Sequence, residues 1–280
     1  MTKSRIRISA VAAFLAALPM SLSSHAETLP LWEIGAGVAV LSLPDYRGSA
    51  ETGAYVLPIP YFVYRGELLK VDRGGLSGLL FDSDRIEVDL SLNGTIPVNS
   101  EDNPLRRGMA DLEPAVELGP TVNVHLWRSP DRKTTLDFRM PVRAAITVEP
   151  EPRKIGWLFS PNLDLEMRDP AGFSGWKLGF QLGPYFNDRE YNAYFYSVDP
   201  SAATPERPAY SAQGGYSGSQ VFLSLSKRFP HYWVGGFIRH DNLAGVVFER
   251  SPLVESRDAF SAGLALSWVF GESSRRVAAE

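Results

Sequence analysis

No cysteine occurs anywhere in the 280 residues. Disulfides and thiolate chemistry are therefore excluded, and an exported chain of this composition is held by its own core or by a membrane. Long apolar runs are also missing. Beyond the N-terminus no stretch approaches the ~20 residues that a helix needs to cross a bilayer, so a helical membrane protein is ruled out. Histidine is rare, four in all, and no HxxxH-type spacing occurs, so no metal and no cofactor are expected. The formal charge is −4 and no basic stripe runs along the chain, which argues against nucleic acid as a partner.

The N-terminus itself is distinctive. Lys3, Arg5 and Arg7 precede the short apolar run ISAVAAFLAAL, and the small-residue ending Ser24-His25-Ala26 follows. This is the pattern of a secretory signal peptide over 1–26, with cleavage between Ala26 and Glu27. Its removal takes three basic groups with it and leaves 25 basic against 32 acidic side chains, a net charge of −7. No Pro/Ser-rich linker divides what remains, so residues 27–270 read as one domain and 271–280 as a polar periplasmic tail.

Alternation dominates that domain. In 259–270, Phe260, Ala262, Leu264, Leu266, Trp268 and Phe270 oppose Ser261, Gly263, Ala265, Ser267 and Val269. Residues 85–93, 135–146 and 155–168 repeat the pattern. Side chains alternate faces only at a two-residue period, so these segments are strands. The expected set is 32–42, 53–64, 67–72, 76–81, 85–96, 112–127, 134–147, 155–168, 175–186, 219–229, 231–240 and 259–270. Several reach the ~9–11 residues of a tilted bilayer-crossing strand, beyond the ~5–6 usual in globular sheets. Long polar connections (97–111, 187–218, 241–258) follow odd-numbered strands and brief turns follow even-numbered ones. Segregation of long and short loops onto opposite rims predicts an all-β fold: an antiparallel transmembrane β-barrel of about 12 strands in outer-membrane lipid, with both termini in the periplasm. Trp32, Tyr61, Tyr64, Trp127, Trp157, Trp176, Tyr232, Trp233 and Trp268 are candidates for its aromatic girdles.

The polar faces carry charges of both signs. Arg85, Glu87, Asp89, Asp137, Arg139, Arg143, Asp164 and Glu166 form a candidate charge network in the lumen, because buried charges must be paired. Glu87 with Asp89, or Asp164 with Glu166, also resembles a hydrolase carboxylate pair, but residues two apart share a face in any strand. A lipase-like site would need a serine beside His125, His231 or His240, and none has a neighbouring sequence signature. No catalytic residues are therefore expected, and the protein is read as a non-enzyme.

One strand is irregular. YVLPIPYFVY carries Pro58 and Pro60 on one face, between Tyr46-Arg47-Gly48 and Tyr64-Arg65-Gly66. Proline donates nothing to a ladder, so the spacing predicts a local opening or bulge beside the short third and fourth strands. Each Tyr-Arg pair suits the membrane–water boundary.

LPDYRGSAETGAYVLPIPYFVYRGELLKVDRGGLSG, with LFDSDRIEVDLSLNGT after it and ELGP at 117–120, resembles the MipA/OmpV family of outer-membrane proteins from about Trp32 to Phe270. The resemblance implies a Gram-negative cell outer membrane location. For some members it implies scaffolding between a lytic transglycosylase and a peptidoglycan synthase, and for others adhesion. The chain departs from many outer-membrane strands in continuing as GESSRRVAAE after Phe270. A scaffold must be touched from the periplasm, which makes Asp82, Asp84, Arg128, Arg132, Lys133, Arg275 and Arg276 candidate contact residues. The expected function is a structural and interaction protein of the envelope, with a narrow solute channel or a surface adhesin as alternatives.

Overall fold

The computed structural model describes residues 28–66, 69–72 and 75–278, with backbone alone for 69–72, 75–80, Asp82 and Ala278. The expected signal segment, with Ala26 and Glu27, lies outside the described residues. Period-two patterning gives strands throughout: β1 (Thr28–Pro30), β2 (Trp32–Pro44), β3 (Thr52–Arg65), β4 (Leu69–Asp72), β5 (Gly75–Asp82), β6 (Ile86–Thr95), β7 (Ala115–Arg128), β8 (Thr134–Thr147), β9 (Lys154–Phe159), β10 (Asn162–Arg168), β11 (Trp176–Asn187), β12 (Gly215–Arg228), β13 (Tyr232–Asn242), β14 (Asp258–Glu272) and β15 (Arg276–Ala278). One short helix, α1 (Arg189–Tyr196), lies between β11 and β12.

Every pairing is antiparallel, and β14 pairs with β2 to close the wall. Ser160 and Pro161 interrupt the expected strand 155–168, so β9 and β10 share one place in the wall, both between β8 and β11. The described barrel therefore has twelve wall positions. Apolar side chains face outward: Leu264 is 72% exposed and Val56 70%, with Val40, Leu118, Ile238 and Phe270 also exposed. In water such a belt would be a large aggregation surface; in lipid it is the required exterior. Trp32, Trp127, Trp157, Tyr232 and Trp268 are exposed on this surface. Tyr61 is buried, and Trp233 packs against its cluster with Val63 and Val269. Both point inward and leave the expected girdle.

The terminal segments pair with each other, and one edge of the wall opens where the Pro58 and Pro60 spacing predicts. After Phe270, β14 runs on to Glu272, and β15 pairs with β1 as a two-stranded ribbon on the side of the short turns. Beside β3 the wall is incomplete. β4 meets β3 only at Tyr64↔Val71 and Arg65↔Lys70, and then turns into β5. Among the described residues, Thr52–Pro60 of β3 and Leu90–Thr95 of β6 have no strand on their facing edges.

The main apolar core sits above the barrel. Tyr46, Val98, Leu112, Phe195, Tyr196, Val198, Leu243, Phe248 and Leu253 come from the outer loops and pack into one buried cluster with the tops of the strands.

Candidate functional site

At the end of the short turns, alternation along β2, β3 and β12 turns Glu33, Tyr61, Arg65 and Arg228 into the bore. Arg65 Nη2 donates to Glu33 Oε1 at 2.8 Å, and Arg228 Nε to Oε2 at 2.8 Å. The Tyr61 hydroxyl donates to the same Oε2 at 3.0 Å. The carboxylate is 1% exposed, so this clamp ties three strands across the bore. The sequence pattern had singled out Arg65 and Arg47 as boundary residues; both instead enter the interior. Arg47 Nη2 donates to the Ser217 carbonyl at 2.5 Å, and its guanidinium lies 4.4 Å over the Tyr185 ring and 3.8 Å from Asp241.

Midway up, a polar chain crosses five wall positions. Asn123 Nδ2 donates to Asp89 Oδ2 at 3.0 Å, and Arg139 Nε donates to Asn123 Oδ1 at 3.1 Å. Arg139 Nη1 then reaches Asp164 Oδ2 at 3.1 Å, and Gln181 Nε2 donates to the same oxygen at 3.2 Å. Arg143 Nε donates to Ser91 Oγ at 2.9 Å. Asp137 stands 2.9 Å from His125 Nδ1, while Glu166 meets Lys177 at 2.6 Å near the rim. Glu87 is half-buried on the same face of β6. Arg85 does not join them: it lies exposed in the turn before β6. Asn123, which no charge count could flag, bridges Asp89 and Arg139, and Gln181 ends the chain at Asp164.

The loops close the top. The Asp188 side chain caps α1 by accepting from the Tyr191 N–H at 2.8 Å. Gly156, at φ 141°, allows the helix to sit against β9, since a Cβ there would stand 2.4 Å from the Tyr191 nitrogen. Tyr191 Oη donates to Glu117 at 3.0 Å, directly below the helix. Tyr196 stacks on Phe248 with centroids 3.7 Å apart and donates to the Arg47 carbonyl at 2.9 Å. Burial pushes the Tyr46, Tyr191 and Tyr196 phenols above their ordinary value.

The accessibility of the bore is uneven. Glu33, Asp89, Thr121 and Glu117, spread along the bore, are all nearly inaccessible, whereas Arg139 keeps 29% and Asp164 21%. The packed loops and α1 lie over one end of this interior.

On the rim of the short turns, Lys133 Nζ and Asp169 Oδ2 meet at 2.6 Å between neighbouring turns. The hydrogen bond from Lys133, and then that from the Gly175 N–H, holds the Asp169 carboxyl below its usual range. Arg128 and Arg132 are exposed beside this pair, and Asp84 is exposed in the preceding turn. Asp82 ends β5, its side chain outside the description. Arg275 and Arg276 are exposed on the terminal ribbon, where the Arg275 carbonyl accepts from the Leu31 N–H at 2.8 Å and Arg276 Nη1 donates to the Thr28 carbonyl at 3.2 Å. His240 Nε2 lies 2.8 Å from Asp258. Neither His125 nor His240 has a serine among its hydrogen-bond partners in the described residues. No group of three His, Asp or Glu side chains suited to a metal ion occurs among the described residues.

An antiparallel barrel with an apolar exterior, a polar bore and loops packed over one end is an integral β-barrel of the outer membrane. Residues 36–270 match the family described as MltA-interacting protein MipA, and the chain belongs to that family. Comparison with curated proteins returns no match. Among solved structures, a bacterial polysaccharide outer membrane secretin is 9% identical, with 85% of this chain and 99% of that one covered and a TM-score of 0.41. The Pseudomonas aeruginosa outer membrane protein OprG is 9% identical over 86% of this chain and 94% of its own, with a TM-score of 0.22. The P. putida toluene transporter TodX is 10% identical over 88% and 68%, with a TM-score of 0.27.

Proposed function

We propose that this protein is a non-catalytic scaffold of the outer membrane that holds a lytic transglycosylase, and with it a peptidoglycan synthase, at its periplasmic rim. The family description supplies the first partner. The observation that carries the reading is the packed loop cap over one end of the bore, where Tyr191 of α1 reaches down to Glu117. A bore covered by packed loops at one end is a poor path for diffusion, which leaves the rim as the surface for function. That rim is small, polar and rich in exposed cations, so contacts there are weak and salt-sensitive.

The test is charge reversal against loop removal. Arg128→Glu, Arg132→Glu and Lys133→Glu together should abolish co-purification with a lytic transglycosylase at low salt, while shortening 200–210 should leave it intact. If only the loop deletion removes binding, the rim is not the contact and surface adhesion becomes the better account. The narrow-channel alternative draws on the part-exposed middle of the bore at Arg139 and Asp164. It requires the cap to open, and a conductance trace from the reconstituted barrel reads that directly.

A further inference from the structure

The inner wall is sorted by polarity in a way that neither the pairing of its charges nor a rim contact explains. From β6 to β11 the inward side chains are the hydrogen-bonded polar chain described above. From β12 round to β3, between the Arg239–Asp241 pair above and the Glu33 clamp below, they include Phe222, Phe237, Leu41, Leu57 and Ile59. Phe222 and Phe237 stack at 5.5 Å. Gly263 lies between Phe237 and Leu41, each under 3 Å from where its Cβ would stand, so the missing side chain lets both lie across the inner surface. Barrel interiors are ordinarily polar. Leu57 faces inward and is nevertheless 37% exposed.

Leu57 and Ile59 border the incomplete part of the wall. Along the β2–β3 ladder, the Arg65 N–H bonds the Leu31 carbonyl and the Asp45 N–H bonds the Glu51 carbonyl. The register between these points is unbroken. Odd-numbered residues of β3 therefore bond β2, and even-numbered ones point to the open edge. Pro58 and Pro60 are even. They delete two donors from an edge that has no strand beside it among the described residues, at the height of the bilayer, where each unsatisfied donor is costly. An edge stripped in this way is a poor template for another strand. It suits an occupant that needs no hydrogen bonds.

We propose that the slot between β3 and β6 admits a hydrocarbon chain of a membrane lipid into the apolar half of the bore. The chain passes between the Thr52–Pro60 edge and the Leu90–Thr95 edge and lies against Leu57, Ile59, Leu41 and Phe237, while its head group stays in the leaflet. Above the slot, a cavity of about 390 Å³ carries the carboxylates of Asp45, Glu51 and Asp102. That field disfavours an anionic head, so a zwitterionic lipid is the appropriate probe. The inference stands apart from the scaffold reading: a rim contact neither needs it nor excludes it.

The experiment uses the unaltered protein in phosphatidylcholine vesicles containing a phosphatidylcholine with a diazirine at mid-chain. After irradiation, adducts are mapped by peptide mass spectrometry. Outward Val56 and Leu264 label in any membrane barrel. The expected result is labelling of inward Leu57 and Ile59 on the order of tenfold above inward Gln181 on the polar wall, the ratio that a preference of about 1.4 kcal/mol produces. Adducts confined to outward residues would overturn the proposal. So would equal labelling of Leu57, Ile59 and Gln181, since a chain sorted by the apolar wall does not reach both.

Discussion

Arg65 and Glu33 face each other across neighbouring strands at 2.8 Å, and the carboxylate they share with Arg228 is 1% exposed. Glu33→Gln leaves two guanidinium groups without their anion. Removing one partner of a fully buried pair costs ~3–5 kcal/mol. Both arginines keep about a fifth of their surface in contact with solvent, so the loss here should be nearer 2 kcal/mol on that scale. A urea unfolding titration of the detergent-refolded barrel measures it. Adding Arg65→Met and Arg228→Met to Glu33→Gln should recover part of the loss, because no uncompensated charge then remains. A triple variant weaker than the single one would contradict the clamp.

Leu264 sits near the middle of β14 with its side chain in the exposed belt. Leu264→Arg should reduce insertion by about 2–4 kcal/mol, the range for a cation near the bilayer midplane. Leu264→Trp, which is larger but uncharged, should insert normally. Equal defects in a vesicle-folding assay would mean that shape, not lipid exposure, constrains this face. Ser267, on the other face, is not the permissive site that its polarity suggests: it is 1% exposed and packed against Gly37.

Alkali should loosen the cap before the barrel. The phenols of Tyr46, Tyr191 and Tyr196 are raised above 10.0 chiefly by burial. Their neutral forms are favoured in the folded state, so the stability they contribute is complete below pH 10 and falls as pH rises beyond it. Proteolysis within 188–214 and 243–257 should therefore accelerate above that pH while the heat-dependent gel shift of the folded barrel persists. Phe248→Ala, which removes the ring stacked on Tyr196, should produce the same opening at neutral pH, costing about 3–5 kcal/mol within the cap. Loss of barrel and cap together would show that the two are one cooperative unit.

The barrel was legible because its signal is local. Leu264, Leu266 and Trp268 announce an outward face through a two-residue period that any window of the sequence contains. The interruption at Ser160-Pro161 was less so, since both halves keep the same alternation and only pairing with β8 and β11 shows them as two. The cap left no such trace. Tyr46 donates to the Leu253 carbonyl across 207 residues, and Tyr196 to the Arg47 carbonyl across 149, with no periodicity in either loop. Likewise Arg139 and Asp164 were visible as inward charges, but their meeting depends on the register of β8 against β10. Register is set by the whole wall.

Pro58 and Pro60 were the most informative residues in the sequence, and they supply the sharpest test of the open edge. Pro58→Val with Pro60→Val keeps the side chains apolar and β-compatible, but returns two N–H groups to an edge of β3 that has no neighbour among the described residues. In hydrocarbon those donors must find acceptors. The nearest supply is the same edge on a second barrel, so the double variant should shift from monomer toward dimer in light scattering of the detergent-solubilised protein. Single variants should lie between, because one restored donor gives half the new ladder. Chemical crosslinking in vesicles should capture β3 against β3. A double variant that stays monomeric with unchanged unfolding would mean that the restored donors are already satisfied, and that the edge is not open to the membrane.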